Sequence, residues 1–431
     1  MFFLMELEHP SLDITGSESD LLKGKRLVLC ITGSVAAVRA PELARALMRH
    51  GAEVWPVMSN ASLRLIQPDL MHWACGHQPL TTLSGAIEHV ALAGDVCNKA
   101  DLVIVAPATA NTISKIACGI DDTVVTTVVS TAWGEGIPLL IVPAMHQSLY
   151  QHPQVSENIS CLERLGISFL KPRLREGKAK IVETEEIVEA VLLLCQRQRL
   201  LKGQRVLVTL GRTIEYVDPI RILTNQSSGK MGAALAFVLK LWGAEVTAVC
   251  GRTDVPLPTG IRCLYVQTAA QMLAAVREEL TTQTYTSLVA AAAVGDWQVK
   301  EPAKEKISTH SQNSLVLELI PTPKIIDHVK DWAPSIHLTA FRAVYKLDKA
   351  ALLEDARKRL QQARADLIVV NDASYPDIAF QAASNEVTVV TAQGEALHLP
   401  KDTKLNIARQ LVSIISGHLA KKEKGIDLDS V

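Results

Sequence analysis

Short apolar runs rich in Val, Leu and Ile alternate along this chain with stretches of helical spacing. Residues 27–31 form such a run and end in Thr32-Gly33-Ser34; helical spacing follows over 41–50, and Gly51-Ala52-Glu53-Val54 opens another strand. The pattern restarts at 205–210, passes through a Gly-rich stretch into helical spacing over about 232–242, and reaches Gly243-Ala244-Glu245-Val246. The second copy carries an insertion between strand and helix that holds Asp218-Pro219-Ile220-Arg221 and residues 225–232, which predicts a loop built for a ligand. Strands are also predicted at 102–105, 139–142, 288–291, 336–339, 367–370 and 387–390, and residues 386–391 and 395–399 read as a hairpin around Ala392-Gln393-Gly394. A helix over 185–198 runs into the polar, basic Gln196-Arg197-Gln198-Arg199, which places a boundary near residue 200. The fold class is therefore α/β, two doubly wound Rossmann-like parallel-sheet domains in tandem, with ligands at the carboxyl ends of the strands. The divisions are an N-terminal extension over 1–23, domains over 24–199 and 200–420, and a charged tail over 421–431.

Composition sharpens this picture. The length of 431 residues suits two or three domains, and 48% hydrophobic with only 4% aromatic content suits buried parallel strands between helices. With 44 Lys plus Arg against 45 Asp plus Glu, the net charge of -1 leaves no field for nucleic acid. No apolar run reaches the roughly 20 residues of a membrane helix, and Met1–Met5 lacks the basic start of a secretory signal, so no membrane association and a cytoplasmic address are expected. The eight cysteines include no CxxC pair and are expected as buried thiols, with neither zinc nor a disulfide framework indicated.

Thr32-Gly33-Ser34-Val35-Ala36-Ala37 joins a strand to a helix, where free backbone N–H groups and the helix dipole attract a phosphate. A turn of small residues also serves close packing, and this one is not the GxGxxG of dinucleotide binding. Ser59-Asn60-Ala61 after the second strand and residues 106–112 after the third add hydroxyls and an amide, with Lys115 further on, so that the three loops predict one small-molecule pocket.

With Ile87-Glu88-His89-Val90-Ala91-Leu92, residues 107–122 and Pro143-Ala144-Met145-His146, these loops resemble the flavoprotein family that decarboxylates cysteine-derived substrates, over residues 24 to about 190; residues 68–70 and Asn158 fit its spacing. The resemblance implies FMN, its phosphate held at Gly33, Ser34, Ala36 and Ser59 and its ring near Ala108, Thr109 and Asn111, with His89 at the catalytic histidine position. Flavin oxidation beside the sulfur would give a thioaldehyde able to delocalise the charge left by CO₂, a sink that a saturated carboxylate lacks. His89 would position the carboxylate or manage a proton, although a lone histidine in an apolar segment read without the family is structural. His146, assigned to substrate, stands where the family has Asn, and the flap over 172–180 lacks the usual proton-donating Cys. Lys178, Lys180 and His146 stand as donors in its place, since Cys161 lies in a helical stretch outside that loop.

In the second half, residues 209–213, Glu215-Tyr216-Val217-Asp218-Pro219-Ile220-Arg221, residues 224–232 and 290–297 gather glycines, hydroxyls, amides and cations at strand ends. A tight turn explains Gly229 and Gly232 but not Asn225, Ser227, Ser228 and Lys230 together, so an anion cradle is predicted. From 203 to about 417 the set resembles the phosphopantothenate-cysteine ligase domain, and the order of the halves resembles the bifunctional proteins of coenzyme A biosynthesis. The implied substrates are 4'-phosphopantothenate, cysteine and CTP with Mg²⁺, through an acyl-cytidylate that the cysteine amine attacks. Arg221 and Asn225 match residues handling that intermediate, and Lys306 would stabilise charge at the transferred phosphate. Ser227, Ser228, Lys230, Ala292, Asp296, Pro321, Thr322, Pro323, Phe341 and Arg359 are the implied substrate and nucleotide contacts, Asn371-Asp372 matches a strand-end motif, and Ser384-Asn385 lies in the family's late loop. The lysine cluster after Lys306 is reduced to Ile307-Ser308-Thr309; Arg359 and Ala363 replace two phosphate-facing lysines, with Arg364 adjacent; and Arg212 replaces a small residue. Metal ligands are unassigned.

By resemblance the flavoprotein halves form trimers and the ligase halves dimers, so a homo-oligomer is expected. A rival reading keeps an active ligase but makes the first half an FMN-binding regulatory domain impaired in decarboxylation: the missing flap Cys and His146 favour it, and His89 opposes it. An NAD(P)-dependent dehydrogenase is disfavoured because neither Gly-rich turn reads GxGxxG.

Overall fold

The computed structural model describes residues 9–175, 178–195, 200–308, 314–375, 377 and 381–423, with the backbone alone at 173–175, 178 and 423. The side chain of Lys178, the linker Gln196 to Arg199, Thr309 and the tail from 424 onward lie outside the described residues. The chain forms two compact units, Met1–Arg197 and Gln198–Val431.

In the first unit the order is β1 (Arg26–Ile31), α1 (Ala40–Arg49), β2 (Glu53–Met58), α2 (Glu88–Ala93), β3 (Leu102–Ala108), α3 (Ala110–Ala117), α4 (Val124–Gly134), β4 (Leu139–Pro143), α5 (Pro153–Arg164), β5 (Ser168–Phe169) and α6 (Thr184–Cys195). The strands lie in the order β2-β1-β3-β4-β5, all parallel. Every residue of β3 is buried, as a central strand covered on both faces requires. In α1 the buried Leu43, Ala44, Leu47 and Met48 recur at helical spacing and turn one face to the core, with Pro41 in the first turn where its missing N–H costs nothing. A 3₁₀ turn, Val35–Arg39, separates β1 from α1. Residues 9–23 dock on the end of α1: Gly16 N donates to Met48 O at 3.0 Å, Leu22 N donates to His50 O at 2.8 Å, and Leu22 is fully buried.

The second unit runs β6 (Arg205–Leu210), α7 (Lys230–Leu241), β7 (Glu245–Cys250), β8 (Arg262–Tyr265), α8 (Ala269–Thr282), β9 (Ser287–Ala290), α9 (Ile325–Trp332), β10 (His337–Val344), α10 (Lys349–Ala363), β11 (Leu367–Asp372), β12 (Ser384–Thr391), β13 (Ala396–Thr403) and α11 (Lys404–Glu423). Its sheet has the order β8-β7-β6-β9-β10-β11-β12-β13. The predicted hairpin ends this sheet: β12 runs antiparallel to β11 and to β13, the turn at Ala392–Glu395 between the last two being too short for a crossover. In each unit the chain leaves one central strand in opposite directions, β1 between β2 and β3 and β6 between β7 and β9. The crevice at each switch point is where ligands of such sheets bind.

The uniform burial expected of the cysteines is corrected. All are free, but Cys97 and Cys118 are exposed and Cys161 and Cys263 half-buried, since Cys97 follows α2 in a turn and Cys118 caps α3. Among the described residues no helix is long and apolar enough to cross a membrane.

At the amino ends of the strands, away from both crevices, His337 opens β10 nearly fully buried, its ring edge-on to His418 of α11 at 5.6 Å. Burial, reinforced by the charges of Lys330 and Lys422 and opposed by Asp366, pushes its pKa from 6.5 down to about 4. The folded unit therefore resists a proton that the unfolded chain accepts. Its stability is expected to hold above pH 6.5 and to fall as pH drops from 6.5 toward 4. Thermal melts at pH 7.5 and 5 check this: the melting temperature falls at the lower pH, and by less in His337→Gln.

Candidate active sites at the strand ends

In the first unit Thr32, at the end of β1, locks two of the loops together. Its Oγ1 donates to Pro107 O at 2.7 Å and accepts from Thr109 N at 3.1 Å. Gly33 sits so close to the loop after β2 that a Cβ there would lie 2.5 Å from Ala61 Cβ. Ser34 caps the following turn by accepting from Ala36 N at 3.4 Å, and the buried Ser59 is held by its N–H to Ile31 O at 3.1 Å and by Ser62 N donating to its Oγ at 3.3 Å. Thr109 caps α3 by accepting from Thr112 N at 3.3 Å, and Asn111 is exposed in its first turn. The structure thus gathers Gly33, Ser34, Ala36, Ser59, Ala108 and Thr109 around one crevice of hydroxyls and N–H groups.

His146 joins from the side. Ala108 pairs with Pro143, and Ala144 N donates to Ala108 O at 3.0 Å, so residues 143–146 border the same loops. Met145–His146 pairs antiparallel with Ala179 and Lys178, which lays the flap strands over this edge. The His146 Nδ1 accepts from Ser148 N at 3.4 Å and lies 2.9 Å from Ser148 Oγ. Cys161 lies in α5, and the neighbouring Asn158 is buried and donates to Ser114 Oγ at 3.1 Å, a packing role.

His89 is placed differently. It lies in the first turn of α2, which packs on α4, and is absent from the hydrogen bonds that join the three loops. The turn is fixed by Glu88, which accepts from Ser84 N at 2.9 Å and from the Ser84 hydroxyl, and these bonds hold its carboxyl below the usual range. Ile87 just before it has φ 48°, a conformation a β-branched residue adopts only when its surroundings impose it. The His89 Nδ1 is buried with no hydrogen-bond partner.

In the second unit Thr213 plays the part of Thr32. Its Oγ1 accepts from Gly295 N at 2.8 Å, and its carbonyl accepts from Thr224 Oγ1 at 2.7 Å. Asn225 Nδ2 donates to Ala293 O at 3.0 Å, which sets the insertion beside the turn carrying Ala292 and Asp296. Buried Asp218 organises the rest: its carboxylate accepts from Ile220 N at 2.8 Å, Arg221 N at 2.7 Å, Ile307 N at 3.1 Å and the Arg221 guanidinium at 2.5 Å. Burial alone would raise this carboxyl, but those bonds outweigh it and hold it well below its usual range. Arg221 also donates to Ile307 O at 3.0 Å, so exposed Lys306 stands next to the Arg221 fork.

Ser227 and Gly229 close the turn into α7, with Gly229 N donating to Ser227 Oγ at 3.3 Å. Gly229 has φ 79°, and Gly232 packs so tightly on β6 that a Cβ there would lie 2.4 Å from Leu210 Cβ. On the other side Thr322 N donates to Asp296 O at 3.0 Å, drawing Pro321, Thr322 and Pro323 against the turn at Asp296. Phe341 lies just past the residue of β10 that pairs with the end of β9.

Some assignments meet a different setting. The Arg359 guanidinium is paired with Asp327 of α9 at 2.7 Å with its side chain only 13% exposed, so it is committed to a helix partner. Ala363 is fully buried in the core under α10, and Arg364 ends that helix and pairs with Asp331. Arg212, foreseen only as an oddity, pairs bidentately with Asp254 at 2.8 Å and donates to Ser227 O, pinning the anion turn. Lys324, which the motif reading missed, pairs with Asp296. The run Pro321-Thr322-Pro323 pointed toward Lys324, whereas nothing in the sequence linked Arg212 to a carboxylate 42 residues on. Among the described residues no group of three or more His, Cys, Asp or Glu could hold a metal ion.

The family model for the DNA/pantothenate metabolism flavoprotein C-terminal domain matches residues 201–419, and the flavoprotein family model matches 15–195. The coenzyme A biosynthesis bifunctional protein CoaBC of Thermococcus kodakarensis is 48% identical over 405 residues, covering 94% of this chain and 98% of that protein. The protein of the same name from Bacillus subtilis is 32% identical over 410 residues, covering 92% and 98%. A crystal structure of the C-terminal domain of a CoaBC protein covers 52% of this chain and 100% of its own, at 32% identity and a TM-score of 0.43.

Proposed function

Since the chain belongs to the family of coenzyme A biosynthesis bifunctional proteins and is a ligase and a decarboxylase, we propose that the second unit makes phosphopantothenoylcysteine from 4'-phosphopantothenate and cysteine at the expense of CTP, and that the first decarboxylates it with FMN. The observation that carries the ligase half is the convergence of Arg221, Asn225 and the turn at Ala292–Asp296 on one crevice, through Asp218 and Thr213. A free carboxylate is a poor acyl donor. Lys306 supplies the positive field in which it attacks the nucleotide's α-phosphate and pyrophosphate leaves, while Arg221, held by Asp218, handles the acyl intermediate. Asn225 holds the resulting mixed anhydride for the amine of cysteine, and an amide forms as the nucleoside monophosphate departs. No cluster of carboxylates is present among the described residues to build a protein-held Mg²⁺ site. Mg²⁺ would come with the nucleotide phosphates, and no step is assigned to it.

The crevice of the first unit fits FMN. Gly33 has no Cβ where one would strike Ala61, which lets two loops close on a phosphate, and Ser34, Ser59 and the N–H groups at Ala36 would hold it. Ala108, Thr109 and Asn111 would face the ring. FMN supplies the oxidation beside sulfur that makes CO₂ loss feasible. The protein's own groups orient the substrate: His146 Nε2 is directed to its amide and His89 to its carboxylate. Leaving the buried His89 Nδ1 unmatched costs about 1–3 kcal/mol, which a hydrogen-bonding partner brought by substrate or a second subunit recovers. The proton at the last step is assigned to the flap edge, where Lys180 and His146 lie. A homo-oligomer, with trimeric flavoprotein halves and dimeric ligase halves, and a cytoplasmic address complete the reading.

The test is direct. The purified protein is expected to be yellow and to release FMN on acid extraction, and to form CO₂ and pyrophosphate when given 4'-phosphopantothenate, cysteine and CTP. Release of FAD, or no flavin after reconstitution, removes the decarboxylase half; pyrophosphate with ATP but not CTP changes the nucleotide alone. Flavin with ligase activity but no CO₂ selects the rival reading of an impaired flavin-binding domain.

A further inference from the structure

We infer that Asp218 is a positioning residue of the ligase unit that ties the segment carrying Lys306 to Arg221, so that the cation of the first chemical step and the arginine of the second are held as one assembly; the inference rests on the ligase reading above. Asp218 is 1% exposed, and its two oxygens have different partners. Oδ1 accepts from Ile220 N at 2.8 Å and Arg221 N at 2.7 Å, which closes its own turn. Oδ2 accepts from Arg221 Nη1 at 2.5 Å and from Ile307 N at 3.1 Å, and Arg221 Nη1 donates again to Ile307 O at 3.0 Å. A carboxylate oxygen, a guanidinium nitrogen and both backbone groups of Ile307 therefore form a closed ring. Ahead of it, Ala303 N donates to Val217 O at 3.0 Å. The stretch 303–307 is thus held at both ends by the turn 217–221, with Lys306 exposed just inside the second anchor.

An aspartate kept only for its turn needs one oxygen, accepting from N–H groups two and three residues on. Oδ2 and the charge it shares with Arg221 are surplus to that turn. They hold a part of the chain without regular structure: among the described residues no helix or strand lies between Val299 and Leu319. The backbone beside Lys306 is therefore fixed by bonds to side chains in place of a sheet ladder.

Arg221 divides its donors in the same way. Nη1 is committed to Asp218 and Ile307, whereas no described residue accepts from Nε or Nη2, and the side chain is 36% exposed. The Nε–Nη2 edge is the planar fork that takes an oxyanion through two parallel bonds. The mixed anhydride and the acid's carboxylate both offer such oxygens. One rigid guanidinium then faces the ligand on one edge and carries Ile307 on its remaining nitrogen, and Asp218 sets its orientation.

The experiment uses the full chain with Asp218→Asn, Ile307→Pro, Lys306→Gln and the double variant Asp218→Asn/Lys306→Gln. Asparagine keeps an acceptor for the turn but sets an NH₂ where Ile307 N and Arg221 donate; proline removes the Ile307 N–H and leaves the carboxylate untouched. Pyrophosphate release and amide formation are timed separately, and hydrogen exchange over residues 301–308 is read without substrates. Asp218→Asn is expected to slow pyrophosphate release about 10²-fold and to slow amide formation as well, with exchange over 301–308 about 10- to 100-fold faster, the range for one charge-assisted hydrogen bond. Lys306→Gln should slow the first stage alone and exchange like the parent. The double variant should release pyrophosphate within about three-fold of the slower single variant, because a cation already displaced has little left to lose; independent residues would multiply to about 10⁴. Ile307→Pro is expected to repeat the pyrophosphate defect. A multiplicative double variant, or unchanged exchange in Asp218→Asn, overturns the inference. If Asp218→Asn melts far below the parent, Ile307→Pro decides: a defect at a parent-like melting temperature supports the inference, normal pyrophosphate release overturns it, and lowered melting in both variants assigns these bonds to stability alone and overturns it too. A parent chain that forms no amide removes the ligase reading itself; one that forms it while Asp218→Asn matches it at both stages removes only this inference.

Discussion

Lys306→Gln is expected to release pyrophosphate about 10² to 10³ times more slowly than the parent chain, the typical cost of removing one preorganised electrostatic stabiliser. Asn225→Asp is expected to fail later, releasing pyrophosphate but accumulating or leaking the mixed anhydride. The two side chains sit in different settings. Lys306 is exposed next to Ile307, whose N–H and carbonyl are held by Asp218 and Arg221, so the chain beside it is anchored while its side chain is not buried. Asn225 instead has its amide nitrogen on Ala293 O at 3.0 Å, which anchors it to the turn carrying Ala292 and Asp296. An aspartate there cannot donate to Ala293 O and carries a charge that repels the anhydride's phosphate. Pyrophosphate and amide product should be measured separately, with thermal melts. If both variants melt like the parent and Lys306→Gln keeps normal pyrophosphate release, Lys306 is not the catalytic cation; equal losses with lowered melting points would mean that both residues only support the turn.

His89→Asn is expected to cut CO₂ formation by about 10² or more while flavin content and ligase activity stay within two-fold, in line with the 10² to 10⁴ typical of a positioned acid or base. Local order is concentrated around this ring: a left-handed Ile87, a Glu88 carboxylate held by Ser84, and a buried Nδ1 with no partner. Asparagine retains a donor near the Nδ1 position but cannot carry a proton at neutral pH. Normal CO₂ formation in a His89→Asn protein that keeps its flavin would assign the ring a structural role. Loss of flavin together with activity would place His89 in cofactor binding instead.

Much of this was legible in the chain. The two strand-turn-helix starts appear at Arg26–Ile31 and Arg205–Leu210 because a buried parallel strand leaves a continuous apolar run, and the hairpin at Ala392–Glu395 is marked by its Gly. Thr109 could be seen at the head of α3, since a cap is a matter of neighbouring residues. The long-range pairs could not. Arg212 finds Asp254, Arg359 finds Asp327 and Lys324 finds Asp296 only because different strand ends and helices meet in space. Arg359 therefore read as a phosphate contact from its position, while the fold spends its charge on α9.

The sequence by itself determined the α/β class, the repeated unit, the strand-end loops and the types of residue offered to a ligand, because each is set by interactions within a few residues: periodicity, turn chemistry, helix caps. Only the tertiary structure decided which of those residues share a crevice and which cations a carboxylate neutralises. Burial and pairing are properties of distance in space, and chain spacing carries no record of them once a crossover or a hairpin intervenes.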